Sequence, residues 1–185
     1  MEPHQQDNPS TDPAINKTAD SPVNTDANLS GDAVNYWLMK SEPDTYGIDD
    51  LAREVTTLWD GIRNYQARNF MRSMQPGDRA FFYHSNVKPP GIVGLMEVVE
   101  TALVDPSQFD AQSPYFDPAA NQEKPRWDCA RLRYLRHFPK LLSLDLLKEQ
   151  FSAEQLGVVK RGNRLSILPV PPDTAQRLLI LLEQG

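Results

Sequence analysis

Apolar positions along residues 34–185 alternate between two spacings. VNYWLM (34–39) is a short β-prone run, stopped by Ser41-Glu42-Pro43-Asp44. IDDLAREV (48–55) places Ile48, Leu51 and Val55 at helical spacing. WDGIRN (59–64) fits neither period. Residues 65–74 return to a helical pattern, with Tyr65, Asn69 and Arg72 on one face and Ala67, Phe70 and Met74 on another. Pro76-Gly77-Asp78 marks a turn before two strands, RAFFYHS (79–85) and GIVGLMEVVETA (91–102), joined by the loop NVKPP. In the first strand Phe81 and Tyr83 share a side.

The second half continues in the same way. Residues 105–125 are rich in Pro, Asp, Asn and Gln and read as a long exposed loop. WDCARLRYLRHF (127–138) alternates as a half-solvated strand, Leu132 and Tyr134 opposite Arg131 and Arg133. SLDLLKEQF (143–151) predicts a helix capped by Ser143, SAEQL a further helical turn and RLSILPV (164–170) a strand. The closing helix carries Ala175, Leu178, Leu179 and Leu182 on one stripe. Five or more short strands among short helices, without regular βαβ alternation, predict an α+β fold built on a mixed sheet or small barrel.

Composition sharpens the boundaries. Residues 1–33 contain no Trp, Tyr or Phe and four Pro, and carry six acids against one base. Such a stretch buries too little apolar surface to offset its ordering entropy, which predicts a disordered acidic tail before a single domain over 34–185. The body keeps 19 acids and 18 bases of the totals, so the formal charge of −6 belongs mainly to the tail. A near-neutral body argues against tight, sequence-blind nucleic-acid binding, but not against selectivity in one pocket. The N-terminus lacks a charged region followed by an apolar one, and no apolar run approaches membrane-spanning length. The expectation is an intracellular protein that makes no membrane contact. The single Cys129 leaves no intramolecular disulfide and, with three scattered His, no metal-ligand spacing, so neither metal nor cofactor is expected.

Among reactive groups, Cys129 reads as a small buried thiol rather than a nucleophile. Ser41 or Ser85 with His84 supplies the residue types for hydroxyl activation but lacks a nucleophile elbow. GIVG (91–94) reads as close backbone packing inside a strand. Asp49-Asp50 suit a helix start, where acids meet the positive end of the dipole. Arg131, Arg133 and Arg136 suit phosphate contacts or a solvated strand face equally. What remains is a set of polar–aromatic clusters: Trp37 with Lys40-Ser41, Trp59 with Arg63-Asn64, Tyr83-His84-Ser85 and Arg126-Trp127. Each sets a ring beside a side-chain donor. That suits stacking a flat heterocycle and reading its edge, and equally suits core rings with satisfied polar tips.

Taken together, YWLMKSEPDTYGIDDL (36–51), LWDGIRNYQARNFMRSMQPGD (58–78), FFYHSN (81–86), PGIVG (90–94), PRW (125–127) and RLSILPV (164–170) resemble the EVE domain, a branch of the PUA-like superfamily, over residues 35–182. The resemblance implies a small mixed β-barrel with peripheral short helices, and a reader of modified bases rather than an enzyme. YTH readers of methylated adenine are PUA-like relatives. EVE domains are implicated in recognising modified cytosine in DNA and resemble parts of modification-dependent defence systems. The implied partners are therefore DNA or RNA carrying a modified base, and effector proteins of such a system, engaged by a monomer. Trp59 and Tyr83 become the stacking rings. Ser41, Asn64 and Ser85 become edge readers, Lys40, Gly61 and His84 further base contacts, and Arg63, Arg68, Arg72 and Arg126 phosphate contacts. The acidic, lysine-poor tail differs from the basic tail of eukaryotic members and favours a bacterial, cytoplasmic protein over a nuclear one. The competing expectation is an enzyme acting on a nucleotide or nucleic acid through His84 with Ser41 or Ser85.

Energetics set a condition on base reading. Extracting a base costs a few kcal/mol, and stacking returns roughly 1–3 kcal/mol, so edge hydrogen bonds and phosphate contacts must supply the affinity. An apolar slot separates methyl from hydrogen by only about 10–200-fold, whereas a donor–acceptor pair discriminates more sharply. A polar-rich pocket therefore predicts preference for an oxidised or otherwise polar mark over plain methyl.

Overall fold

The computed structural model describes residues 34–184. The acidic tail at 1–33 lies outside the described residues. Six strands form one mixed sheet: β1 (Tyr36–Ser41), β2 (Thr56–Trp59), β3 (Arg79–His84), β4 (Gly91–Val104), β5 (Asp128–Ser143) and β6 (Ile167–Val170). Their order is β2-β5-β4-β3-β1-β6, with β1 parallel to β3 and the remaining neighbours antiparallel. Four helices accompany them: α1 (Ile48–Glu54), α2 (Tyr65–Arg72), α3 (Leu144–Gln150) and α4 (Pro172–Glu183).

Strand alternation sorts the core into two layers. Trp37, Met39, Phe82, Met96 and Leu132 lie with Ile48 and Leu51 of α1 and Ala67 and Met71 of α2. Leu38, Phe81, Tyr83 and Leu168 lie in the other layer with Leu147 of α3 and Ala175, Leu178 and Leu182 of α4. The period of two in a strand thus sends neighbouring residues such as Phe82 and Tyr83 to opposite sides. Gly94 permits close packing at the sheet centre, where a Cβ would stand 2.7 Å from Ile48 Cδ1 and 2.8 Å from the Arg136 carbonyl.

The sheet is not closed into the barrel that the resemblance implied. Its outermost strands, β2 and β6, are four residues each. β6 contains Pro169, which has no N–H to offer a further strand. Other differences from the sequence reading are local. β2 falls in TTLW, a stretch whose four residues carry little alternation, and β5 runs on to Ser143 instead of stopping at 138. Val55 leaves the face of Ile48 and Leu51, with φ of 66° and 56% exposure, because the helix ends there. α2 buries Ala67 and Met71, while Phe70 is only partly covered. Ser143 caps α3 as expected, accepting from the Leu146 N–H at 3.3 Å.

The span 105–125 is not simply an exposed loop. Asp105 and Gln108 are both fully buried. Gln108 donates from Nε2 to the carbonyls of Asp105 (2.7 Å) and Trp127 (2.8 Å), and its Oε1 accepts from the N–H groups of Arg126 (2.8 Å) and Trp127 (3.1 Å). With the Asp105 N–H donating to the Trp127 carbonyl at 3.1 Å, this side chain ties the loop to the start of β5.

Candidate functional site

A cleft of about 950 Å³ opens where the sheet fails to close. Residues of the edge strand β2 and the following turn, from Thr56 to Arg63, form one wall. Lys40 and Ser41 at the end of β1, with Arg164 and Ser166 just before β6, form the other. Edge strand β2 and the segment leading into edge strand β6 therefore both border the cavity, which is large enough for a nucleoside.

Trp59 lines the cleft yet is only 7% exposed, because its ring packs edge-on against Phe82 at 5.4 Å. It supplies a wall rather than an open platform. The three indoles differ in their polar tips. Trp37 donates to Asp78 at 2.9 Å and Trp127 to Asp117 at 2.7 Å, whereas no acceptor among the described residues faces the Trp59 N–H. Trp37 and Trp127 are thus core rings with satisfied donors, and Trp59 is the tryptophan with a donor to spare.

Tyr83 does not join Trp59. It is buried in the opposite core layer and borders a different cleft, since adjacent strand positions point to opposite faces. Burial pushes its phenol up to about 12. The ring that does stand beside the Trp59 segment is Tyr115, 39% exposed and laid over Gly61. Gly61 has φ of 72°, and a Cβ there would meet the Tyr115 ring at 2.7 Å. Only glycine combines that backbone with that contact.

The turn carrying Gly61 is anchored by the buried Asp105. Its carboxylate accepts from the Gly61 N–H (3.0 Å), Arg63 Nη1 (2.7 Å), Ser107 N–H (2.8 Å) and Ser107 Oγ (2.5 Å). Arg63 also donates to the carbonyls of Tyr115 and Ile62 and to Ser107 Oγ. Nothing in the sequence pattern singles out Asp105, 42 residues beyond Arg63. Nearby Asp60 remains largely open to solvent, but partial burial and the Asp105 charge raise its carboxyl above the usual range.

The arginines expected on phosphates are engaged within the protein. Arg63 is held by Asp105, and Arg72 pairs with Asp128 at 2.5 Å. Arg68 donates to the Arg126 carbonyl at 2.7 Å and lies 4.8 Å from the Tyr65 ring centre. Arg126 pairs with Asp117 at 3.4 Å and donates to the Tyr65 hydroxyl. Asn64 is the N-cap of α2, accepting from Gln66 (2.9 Å) and Ala67 (3.0 Å) rather than facing a ligand.

His84 and the two serines do not form a catalytic pair. The Ile48 N–H donates to His84 Nε2 at 3.2 Å, so this nitrogen is the acceptor and the proton sits on Nδ1. Burial lowers the His84 pKa, favouring the neutral ring. Ser41 Oγ donates to the Tyr46 carbonyl (2.7 Å) and Ser85 Oγ to the Ser41 carbonyl (3.2 Å). Cys129 is fully buried and its thiol is pushed up to about 12, first by that burial. Among the described residues no group of His, Cys, Asp and Glu has metal-binding geometry.

One wall contains groups the sequence pattern did not mark. The Tyr46 hydroxyl donates to Glu54 Oε2 at 2.7 Å, and Thr57 lines the same wall. Burial is the main reason its phenol rises to about 12, which keeps it a neutral donor. Tyr46 precedes α1 and Thr57 lies on β2, so only folding makes them neighbours. Across the cleft Lys40 reaches the Asn163 carbonyl at 3.4 Å, and burial lowers its pKa.

Comparison with known proteins accords with this architecture. The family model described as the EVE domain matches residues 35–181. Rat thymocyte nuclear protein 1 is 41% identical over 167 residues, covering 80% of this chain and 74% of the relative. A crystallised protein from Pseudomonas syringae is 46% identical, with a TM-score of 0.76 over 79% of this chain and 98% of that one. The human THYN1 protein, solved in complex with 5-methylcytosine-containing DNA, is 37% identical, with a TM-score of 0.77 over 82% of this chain and 99% of that one. The family-model match over residues 35–181, together with relatives such as the rat protein at 41% identity, places this chain in the EVE domain family.

Proposed function

We propose that this protein is a non-catalytic reader that takes a modified nucleobase, a modified cytosine of DNA, into the seam cleft. The observation that carries the reading is the cleft itself: a cavity large enough for a nucleoside, bordered by Trp59, whose N–H has no described acceptor, and by Thr57 and the Tyr46–Glu54 hydrogen-bonded pair. The similarity to a human protein solved with 5-methylcytosine-containing DNA supports the choice of partner. Tyr115 offers the accessible ring, Trp59 the wall and an edge donor, and the Asp60-Gly61 turn a close backbone. Ser41 and Ser85 contribute through hydroxyl oxygens whose protons are already engaged.

Catalysis by His84 has less support, because its Nε2 caps α1 and neither serine donates to it. Recognition without turnover implies effector proteins that act afterwards, and the reader works as a monomer. No helix among the described residues is long and apolar enough to cross a membrane.

The test compares otherwise identical oligonucleotides carrying cytosine, 5-methylcytosine or 5-hydroxymethylcytosine, with binding followed by anisotropy and substrate mass checked afterwards. Saturable binding of intact modified oligonucleotides is expected, with hydroxymethyl ahead of methyl and both ahead of cytosine. Tyr115→Ala and Trp59→Phe weaken it. Equal affinity for all three, or a change in substrate mass, overturns the reading.

A further inference from the structure

A second cleft, of about 690 Å³, abuts the first and shares Lys40 and Ser85 with it. Its lining includes Lys40, Lys148, Lys160 and Arg161 and no carboxylate. The loop KRGNR (160–164) borders both cavities, Lys160 and Arg161 on the second and Arg164 on the first.

This loop has a fixed backbone and free charges. Asn163 donates to the Gly157 carbonyl at 2.7 Å and accepts from the Leu165 N–H at 2.9 Å, while its own N–H reaches the Lys160 carbonyl at 3.1 Å. Gly162 takes a φ of 77° to complete the turn. Lys160, Arg161 and Arg164 make no ion pair among the described residues. Of the neighbouring acids, Asp145 pairs with Lys148 at 3.4 Å, and Glu154 forms no ion pair with Lys160 among the described residues. The arginines near Trp59 cannot reach outward without breaking internal bonds. A strand delivering its base to the first cleft would therefore meet uncommitted cations along this loop.

We propose that the second cleft holds the phosphodiester backbone of the strand whose base enters the first, with Lys160 and Arg161 on its phosphates and Lys40 at the junction. The inference rests on the reader function above and names the part of the partner that the base cleft does not contact. It makes the ligand a strand rather than a free base. It also explains how a near-neutral domain binds nucleic acid: charge is concentrated on one loop instead of being spread over the surface.

The experiment measures two ligands, 5-hydroxymethyldeoxycytidine as free nucleoside and a single-stranded oligonucleotide carrying it, between 50 and 200 mM salt. The double variant Lys160→Ala/Arg161→Ala is expected to bind the nucleoside like the parent. It binds the oligonucleotide more weakly, and the slope of log affinity against log salt falls by about 1.4, the amount for two single-strand phosphate contacts. At matched ionic strength, inorganic phosphate does not displace the oligonucleotide. An unchanged slope with nucleoside binding intact overturns the backbone cleft alone, as does displacement by inorganic phosphate. A reduced slope with no dependence on base modification or on Trp59→Phe overturns the base reading and leaves the backbone contact standing. Both substituted residues are exposed, and an unchanged urea midpoint verifies folding.

Discussion

Two sets of cations flank the seam and have opposite fates. Arg63, Arg68, Arg72 and Arg126 sit in or beside the segment richest in aromatic and polar residues, and each is bound to a carboxylate, a carbonyl or a ring of the same chain. Lys160, Arg161 and Arg164 sit in a short loop with little aromatic character, and none has an ionic partner among the described residues. Guanidinium groups suit the first task, because their planar donors satisfy several acceptors at once and stack on Tyr65 and Trp127. A count of basic residues near an aromatic cluster therefore says little about availability to a ligand. What matters is whether an internal acceptor has already been provided.

The comparison is broken most severely at Asp105. Asp105→Ala removes the buried acceptor of Arg63, Gly61 and Ser107 and strands a partly buried guanidinium, so a loss of about 3–5 kcal/mol is expected in urea unfolding. A loss below 1 kcal/mol would show that Arg63 is free to leave for a phosphate. Gly61→Ala is next. A non-glycine residue at this φ costs about 1–2 kcal/mol, and the added Cβ displaces the Tyr115 ring. Weakened binding of modified oligonucleotides should accompany the lower midpoint.

Exchanging the two cation sets sharpens the contrast. Arg72→Ala should cost no more than about 1 kcal/mol of stability, as expected for an exposed pair, and leave the salt dependence of oligonucleotide binding unchanged. The Lys160/Arg161 variant should do the reverse. A salt slope that drops for Arg72→Ala would return the phosphate role to α2.

Two smaller effects concern protonation. The His84 pKa is lowered in the fold, so the unfolded chain takes up its proton first as pH falls. Stability should therefore be full above the ordinary histidine range and decline as pH drops below it, with loss of the acceptor for the Ile48 N–H. His84→Gln should flatten that decline in a series of urea titrations. Asp60 has the opposite sense for a carboxylate. Its pKa is raised, so the cost of its charge is present at neutral pH and is relieved as pH falls through the carboxylate range. Asp60→Asn should raise the midpoint slightly at pH 7 and not at acid pH.

Much of the architecture was legible in the chain because local patterns report burial directly. The alternation of Phe81 and Tyr83 against Phe82, the stripe Ala175, Leu178, Leu182 and the cap Ser143 all translate into the observed strands, helix and terminus. β2 was not legible, since an edge strand of four residues that buries only Trp59 is too short to show alternation. Trp59 as a cleft residue followed from its polar company. Tyr83 as its partner did not, because composition places rings near one another without saying on which side of a sheet they fall. Tyr46, Thr57, Glu54 and Tyr115 were missed for a related reason: each becomes a wall only when distant segments meet at the seam.

By itself, then, the sequence determined an α+β fold of mixed strands, its family and the polar–aromatic character of WDGIRN, all properties of local spacing and residue type. Tertiary structure alone decided that the sheet stays open, that the opening is the cavity, and which cations remain unpaired. Those outcomes depend on the buried carboxylate of Asp105, which holds Arg63 and the Gly61 turn, and on the β2 edge and the segment before β6 meeting at the cleft. Contacts made across tens of residues of chain leave no periodic trace in it.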